Sequence, residues 1–152
     1  QEKDGNRLLP IWIGQPEAES IVMQMNNIKR ERPLTHDLCK NLIVGLGGSL
    51  RRVQITKVQK NTYYAELHVA SAGGLVQIDA RPSDSIAIAL RLSAPIFAQE
   101  SLLTAIDEAL VRIESGTFGA CGRCGKPIAE ERLEAIPYAN RCIDCKRLEE
   151  RG

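Results

Sequence analysis

The sequence predicts an α+β domain, with helices packed on a mixed or antiparallel sheet, followed by a small C-terminal finger of zinc-ribbon-like spacing. Two observations carry this reading. Helical and strand-like patterns are interspersed without strict βαβ alternation. Beyond Thr117 the apolar density falls, and cysteines and charges take over. With 152 residues the chain has room for one ordinary domain and such a module.

The chain opens with Asp4-Gly5, a hairpin turn signal, and Leu8 to Ile13 reads as a strand behind it. The other arm of such a hairpin is nearly missing, so the N-terminus is expected to be truncated by at least one strand. Pro16 to Asn27 reads as a helix, with proline and Glu17 and Glu19 suiting its first turn and Ala18, Ile21, Val22 and Met25 giving its apolar spacing. Thr35 reads as the N-cap of a second helix carrying Leu38, Leu42, Ile43 and Leu46, stopped by Gly47-Gly48. Three strands are expected next, Leu50 to Val58, Thr62 to Ala70 and Leu75 to Ala80, with turns at Lys60-Asn61 and Ser71 to Gly74. Arg81-Pro82-Ser83-Asp84 leads into a helix from Ser85 to Leu92, and Ala94 to Phe97 suits a short edge strand. Leu102, Leu103, Ile106, Ala109, Leu110 and Ile113 recur at helical spacing up to Gly116. The expected domains are therefore 1–98, a connecting helix over 99–116, and a finger over 117–152.

Composition narrows the function classes. No run of about 18 apolar residues exists to span a bilayer. Twenty basic residues against nineteen acidic ones leave a net charge of +1, so any nucleic-acid binding must come from local patches. Lys29, Arg30 and Arg32, with Arg51 and Arg52, are the candidates for a basic substrate-binding groove, although runs of this size also form ordinary solvated faces. The six aromatics are not interleaved with them, which gives no sign of base stacking on single strands.

Cys121-Gly-Arg-Cys124 and Cys142-Ile-Asp-Cys145 are two C-x-x-C pairs with seventeen residues between them. Each pair supplies two soft ligands from one tight turn, and Gly122 and Gly125 suit such a turn. Two disulfides or redox pairs would need an oxidising compartment or a βαβ context, and neither is suggested here; the chain is expected in the cytoplasm. The expectation is Zn²⁺ on four thiolates, with no position open to water, hence structural. Cys39 stands apart and reads as a buried helical residue.

The segment Ile113-Glu-Ser-Gly-Thr117 through Cys121-Gly-Arg-Cys124-Gly-Lys-Pro-Ile128, then Glu131-Arg-Leu-Glu-Ala-Ile-Pro137 and Cys142-Ile-Asp-Cys145, resembles the zinc finger of the DksA/TraR family. That family acts on RNA polymerase through a coiled coil with an acidic tip. One helix leads into this finger, with no partner arm and no tip in the matching place, so polymerase contact by that route is not expected.

Strand parity marks a second candidate site. Glu66 and His68 share a face of one strand, and Asp79 and Arg81 continue the matching face of the next, if Leu67 or Val69 faces Ile78. Ser83 and Asp84 follow at a helix entrance, where backbone N–H groups favour an anion. Carboxylates, imidazole and guanidinium so gathered suit a divalent cation, Mg²⁺ or Mn²⁺, and a phosphodiester. A solvated sheet face with surface ion pairs, and Ser83 as a helix N-cap, would give the same pattern. Leu9-Pro-Ile-Trp-Ile-Gly14, Glu17-Ala-Glu19, Arg32-Pro-Leu-Thr-His36-Asp37, Tyr64-Ala-Glu66-Leu and Ile78-Asp-Ala-Arg-Pro-Ser-Asp84-Ser-Ile-Ala resemble the bifunctional nuclease (BFN) domain family over roughly residues 1 to 103. The resemblance implies an α+β fold, a dimer, and cleavage of DNA or RNA. It implies Asp79, Arg81, Ser83 and Asp84 as catalytic residues, with Glu66, Glu17, Glu19, His36 and Asp37 as further candidates, and strand parity adds Glu66 to the catalytic set. His36 and Asp37 equally suit a helix start. The competing expectation is a non-enzymatic oligomeric module acting on the transcription machinery.

Overall fold

A computed structural model describes residues 7–59 and 62–151. The Asp4-Gly5 signal and the Lys60-Asn61 turn lie outside the described residues. The chain divides into two compact units, Ile11–Gln99 and Gln1–Pro10 with Glu100–Gly152.

The first unit is a four-stranded mixed sheet with three helices. Its elements are α1 (Gln15–Met25), α2 (Thr35–Gly45), β1 (Ser49–Gln59), β2 (Thr62–Ser71), β3 (Gly74–Ala80), α3 (Pro82–Leu92) and β4 (Ile96–Ala98). The strand order is β3-β2-β1-β4. The first three strands are antiparallel neighbours, and β4 pairs parallel to β1. Leu67 pairs with Ile78, the first of the two registers that parity allows. α3 lies over β1 and β2, where Ile88 and Ala89 meet Leu50, Val53, Leu67 and Val69, and Cys39 and Ile43 of α2 close the cluster.

Two irregularities in β1 keep that core intact. The pairing skips Arg51, between Leu50↔Val69 and Arg52↔His68, and Thr56, between Ile55↔Ala65 and Lys57↔Tyr64. Each skipped residue is a bulge. Leu50, Val53, Ile55 and Val58, unevenly spaced in sequence, thereby all face the helices, while Arg52, Gln54 and Lys57 face away.

Three local expectations differ. Leu8 to Ile13 forms no strand, and Trp12 is 78% exposed; Pro10 has no N–H to offer a ladder. α2 begins at Thr35 with Leu34 as N-cap, because the Asp37 carboxylate accepts the Leu34 N–H at 2.9 Å. α3 begins at Pro82, so its N-cap is Arg81, and Ser83 is buried inside the first turn. Proline at the first helical position is preorganised for that start.

The second unit carries α4 (Glu100–Glu114), α5 (Glu130–Ala135) and α6 (Ile143–Arg151). Arg112 at the end of α4 donates to the Tyr138 carbonyl at 3.0 Å. A small core of Cys121, Ile128 and Cys145, flanked by Leu133 and Cys142, holds the finger. No described helix is long and apolar enough to cross a membrane.

Candidate functional site

Arg81 is the single residue between β3 and α3. The following proline restricts it to an extended backbone, observed at φ −67° and ψ 145°, so its side chain leaves the strand and meets the helix layer. Its Nε donates to Asp84 Oδ2 at 2.7 Å and its Nη2 to Asp84 Oδ1 at 3.0 Å. Nη2 also lies 2.9 Å from Glu17 Oε1 of α1. The Arg81 side chain is 66% exposed, and its Nη1 has no hydrogen-bond partner among the described residues. The fork on Asp84 raises the arginine pKa further, and the same contact, outweighing partial burial, lowers that of Asp84.

Behind Asp84 a polar chain runs into the helix layer. His36 Nε2 lies 3.0 Å from Asp84 Oδ1, and His36 Nδ1 lies 2.9 Å from Ser20 Oγ. Arg91 Nη2 donates to Ser20 Oγ at 3.1 Å, Nη1 to the Ala87 carbonyl at 3.0 Å, and Nε to Asp37 Oδ1 at 2.5 Å. Burial would raise the Asp37 pKa, but the Arg91 hydrogen bond and the Leu34 N–H outweigh it and bring it down. Glu17, Arg81, Asp84, His36, Ser20, Arg91 and Asp37 therefore form one connected set across α1, α2 and α3. Glu19 stays outside it, accepting from Gln15 Nε2 at 2.9 Å.

The single neighbourhood expected from strand parity is divided in two. Asp79 pairs with Glu66, and His68 with Gln77, on the sheet face turned away from α3. Arg81, Ser83 and Asp84 belong to the helix side, because the period of two ends at Ala80, where the chain turns into α3. His68 is buried, with its Nε2 3.5 Å from Glu66 Oε2 and, among the described residues, no hydrogen bond to either ring nitrogen. Asp79 is exposed and makes no ion pair among the described residues. Glu66, Asp79 and Asp84 thus do not converge on one ion. Among the described residues, the cysteines are the one group of three or more ligating side chains close enough to share a metal.

The five basic candidates are exposed, and none makes an ion pair among the described residues. Lys29, Arg30 and Arg32 lie in the loop between α1 and α2, Arg51 is the bulged residue of β1, and Arg52 faces away from the helices beside His68.

In the finger, the first knuckle is closed by Cys121 N–H on the Lys126 carbonyl at 2.8 Å and Gly125 N–H on the Cys121 carbonyl at 2.9 Å. Gly125 needs its freedom at φ +70°, whereas Gly122 is not in the left-handed region. Cys142 immediately precedes α6, and Cys145 lies in its first turn. The four Sγ atoms all lie within 4.8 Å of one another. Cys124 and Cys142 Sγ are 3.8 Å apart, the edge of a tetrahedron with metal–sulfur arms of about 2.3 Å. Backbone N–H groups of Cys142, Arg123 and Cys124 draw the Cys121 thiol down to about 6, while burial and the neighbouring thiols push Cys145 up to about 12. Four thiolates in this space need a cation among them, and the set fits structural zinc.

Comparison with known proteins bears on both units. The bifunctional nuclease domain family matches residues 1–110. The chain belongs to that family. The prokaryotic DksA/TraR C4-type zinc finger matches residues 116–151, so a BFN domain and a C4 finger are joined in one chain. An uncharacterized protein of Mycobacterium tuberculosis is 47% identical over 103 residues, covering 68% of this chain and 61% of that protein. Bifunctional nuclease 1 of Arabidopsis thaliana is 32% identical over 142 residues, covering 91% of this chain and 43% of its own length. Bifunctional nuclease 1 of Oryza sativa subsp. indica is 31% identical over 98 residues, or 62% of this chain and 30% of that relative. The chain therefore spans less than two thirds of the length of these relatives.

Sequence reasoning gave Ser20 and Arg91 no role. One signal for Arg91 was available: a lone charge within the apolar run Ile86 to Leu92.

Proposed function

We propose that this BFN domain hydrolyses phosphodiester bonds of DNA or RNA on its helix side, with Arg81, Asp84 and Glu17 at the reacting phosphate. The observation that carries the reading is the exposed Arg81 guanidinium, held by two carboxylates with Nη1 directed at neither. An arginine so oriented donates to a phosphate oxygen and neutralises charge that grows in the transition state. Mg²⁺ or Mn²⁺, when bound, would be held by one or two of these carboxylates together with the substrate phosphate, and would polarise the phosphoryl oxygen. Ser83 is buried and supports the first turn of α3. Lys29, Arg30, Arg32, Arg51 and Arg52 supply charge for the nucleic-acid backbone, and the finger stabilises its unit and docks nucleic acid or a partner.

Four thiolates on zinc require a reducing compartment, which supports the cytoplasm. Val76 and Ile78, on the core-facing side of the edge strand β3, are 49% and 43% exposed, which supports a homodimer.

The test separates the two sheet faces. Zinc-loaded protein, free of contaminating nucleases, is assayed on DNA and RNA with Mg²⁺ or Mn²⁺. Asp84→Ala and Arg81→Ala should each abolish cleavage, and Asp79→Ala should retain it. Cleavage lost in Asp79→Ala alone moves the chemistry to the Glu66 face. No cleavage under any metal favours the regulatory module, in which the Arg81 ion pairs only tie α1 to α3.

A further inference from the structure

We infer that Ser20 and Arg91 are positioning residues that fix the tautomer of His36 and, through it, the plane of the Asp84 carboxylate. The inference rests on the reading of Asp84 and Arg81 as the reacting pair. It follows from the donors available. A guanidinium can only donate, so Ser20 Oγ accepts from Arg91 Nη2 at 3.1 Å. We assign the single Ser20 proton to its other side-chain neighbour, His36 Nδ1, at 2.9 Å, in place of a second accepted bond on Oγ. Nδ1 being the acceptor, the ring proton sits on Nε2 and is donated to Asp84 Oδ1 at 3.0 Å. Asp84, kept ionised by the Arg81 fork, only accepts.

In this assignment every link has one direction, from Arg91 through Ser20 and His36 to Asp84. Water competes poorly for it. Ser20 is 6% exposed, and the Arg91 and His36 side chains are 4% and 12% exposed. Arg91 is itself anchored on Asp37 and the Ala87 carbonyl, so it cannot swing away from Ser20 without breaking both. Asp84 Oδ1 therefore receives His36 and Arg81 Nη2 together, while Oδ2 receives Arg81 Nε. That arrangement holds the guanidinium fork square, with Nη1 left over for a ligand.

The test uses full-length, zinc-loaded protein and reads the ring nitrogens of His36 by ¹⁵N NMR, assigned by loss of the signal in His36→Asn. Read at a pH where the ring is neutral, the wild type should carry its proton on Nε2. Ser20→Ala, an acceptable residue within α1, should give a mixture of tautomers with the melting transition retained. It should also lower kcat for nucleic-acid cleavage about 10- to 100-fold while leaving KM nearly unchanged. A wild-type ring protonated at Nδ1, or a Ser20→Ala variant with unchanged tautomer or unchanged kcat, overturns the inference. If the wild type shows no cleavage, the nuclease reading fails separately. The NMR comparison then decides the positioning role alone.

Discussion

Arg91 Nε, buried in α3, sits 2.5 Å from Asp37 Oδ1 in the first turn of α2. The pair joins two helices through the least exposed charge among the described residues of the domain, and it also completes the N-terminal cap of α2, since the other Asp37 oxygen holds the Leu34 N–H. Asp37→Ala leaves the guanidinium buried with its charge uncompensated. The expected loss is about 3 kcal/mol, at the low end for a broken buried pair because Asp37 is itself 32% exposed. Urea unfolding followed by far-UV circular dichroism measures it, and a loss under about 1 kcal/mol would mean the pair is solvated like a surface bridge.

Acid should weaken the same region. Asp37 and Asp84 both titrate below the ordinary carboxylate value of about 3.9, so their contribution is complete above that pH. It is lost as the pH falls through their lower folded-state values, where each carboxylate must take up a proton. The double variant Asp37→Asn/Asp84→Asn should therefore show a flatter decline of stability below about pH 4 than the wild type. Equal slopes in a pH series of urea midpoints would contradict this.

Gly48, just before β1, has no room for a side chain. A Cβ there would lie 2.9 Å from the Ile43 carbonyl oxygen and 3.2 Å from Val69 Cγ1. Gly48→Ala must push the end of α2 off the sheet, at a cost of about 1–3 kcal/mol. Gly45 has nothing within 4 Å of its Cβ position, and as a helical residue it serves as the control, where alanine should be neutral or stabilising. Thermal melts of the two variants, run together, check the contrast.

The finger depends on its metal. Cys145→Ser removes one of four thiolates from the core shared with Cys121 and Ile128. Zinc measured after dialysis should fall from one per chain to near none, with loss of the finger's protection from proteolysis. The sheet of the first unit has its own apolar cluster, so protection of β1 and β2 in hydrogen exchange should persist.

Local signals read well from sequence, while packing between helices did not. Alternation alone reduces the β2–β3 pairing to two registers, because an apolar face must meet an apolar face, and the tight turn between the strands selects Leu67 opposite Ile78. The four cysteines follow from ligand spacing. Asp79 and Arg81 were drawn together by extending the same alternation one step too far, past the point where Pro82 starts a helix. Ser20, His36 and Arg91 come from three helices that are separate in sequence. Nothing local in α1 marks Ser20 as the residue that α2 and α3 will cover, since helix-on-helix placement is set by the assembled sheet beneath.

The finger's ligands are unevenly sheltered: Cys121 and Cys145 are buried, Cys142 is half-buried, and Cys124 is exposed. A competing chelator or a thiol-directed oxidant therefore meets Cys124 first, and can detach that arm while the two sheltered sulfurs keep their grip. Metal exchange at this site is therefore expected to begin at that corner, ahead of any unfolding of the module. Cys124 should accordingly be the first of the four cysteines to be modified when a thiol-directed reagent is added to the zinc-loaded protein.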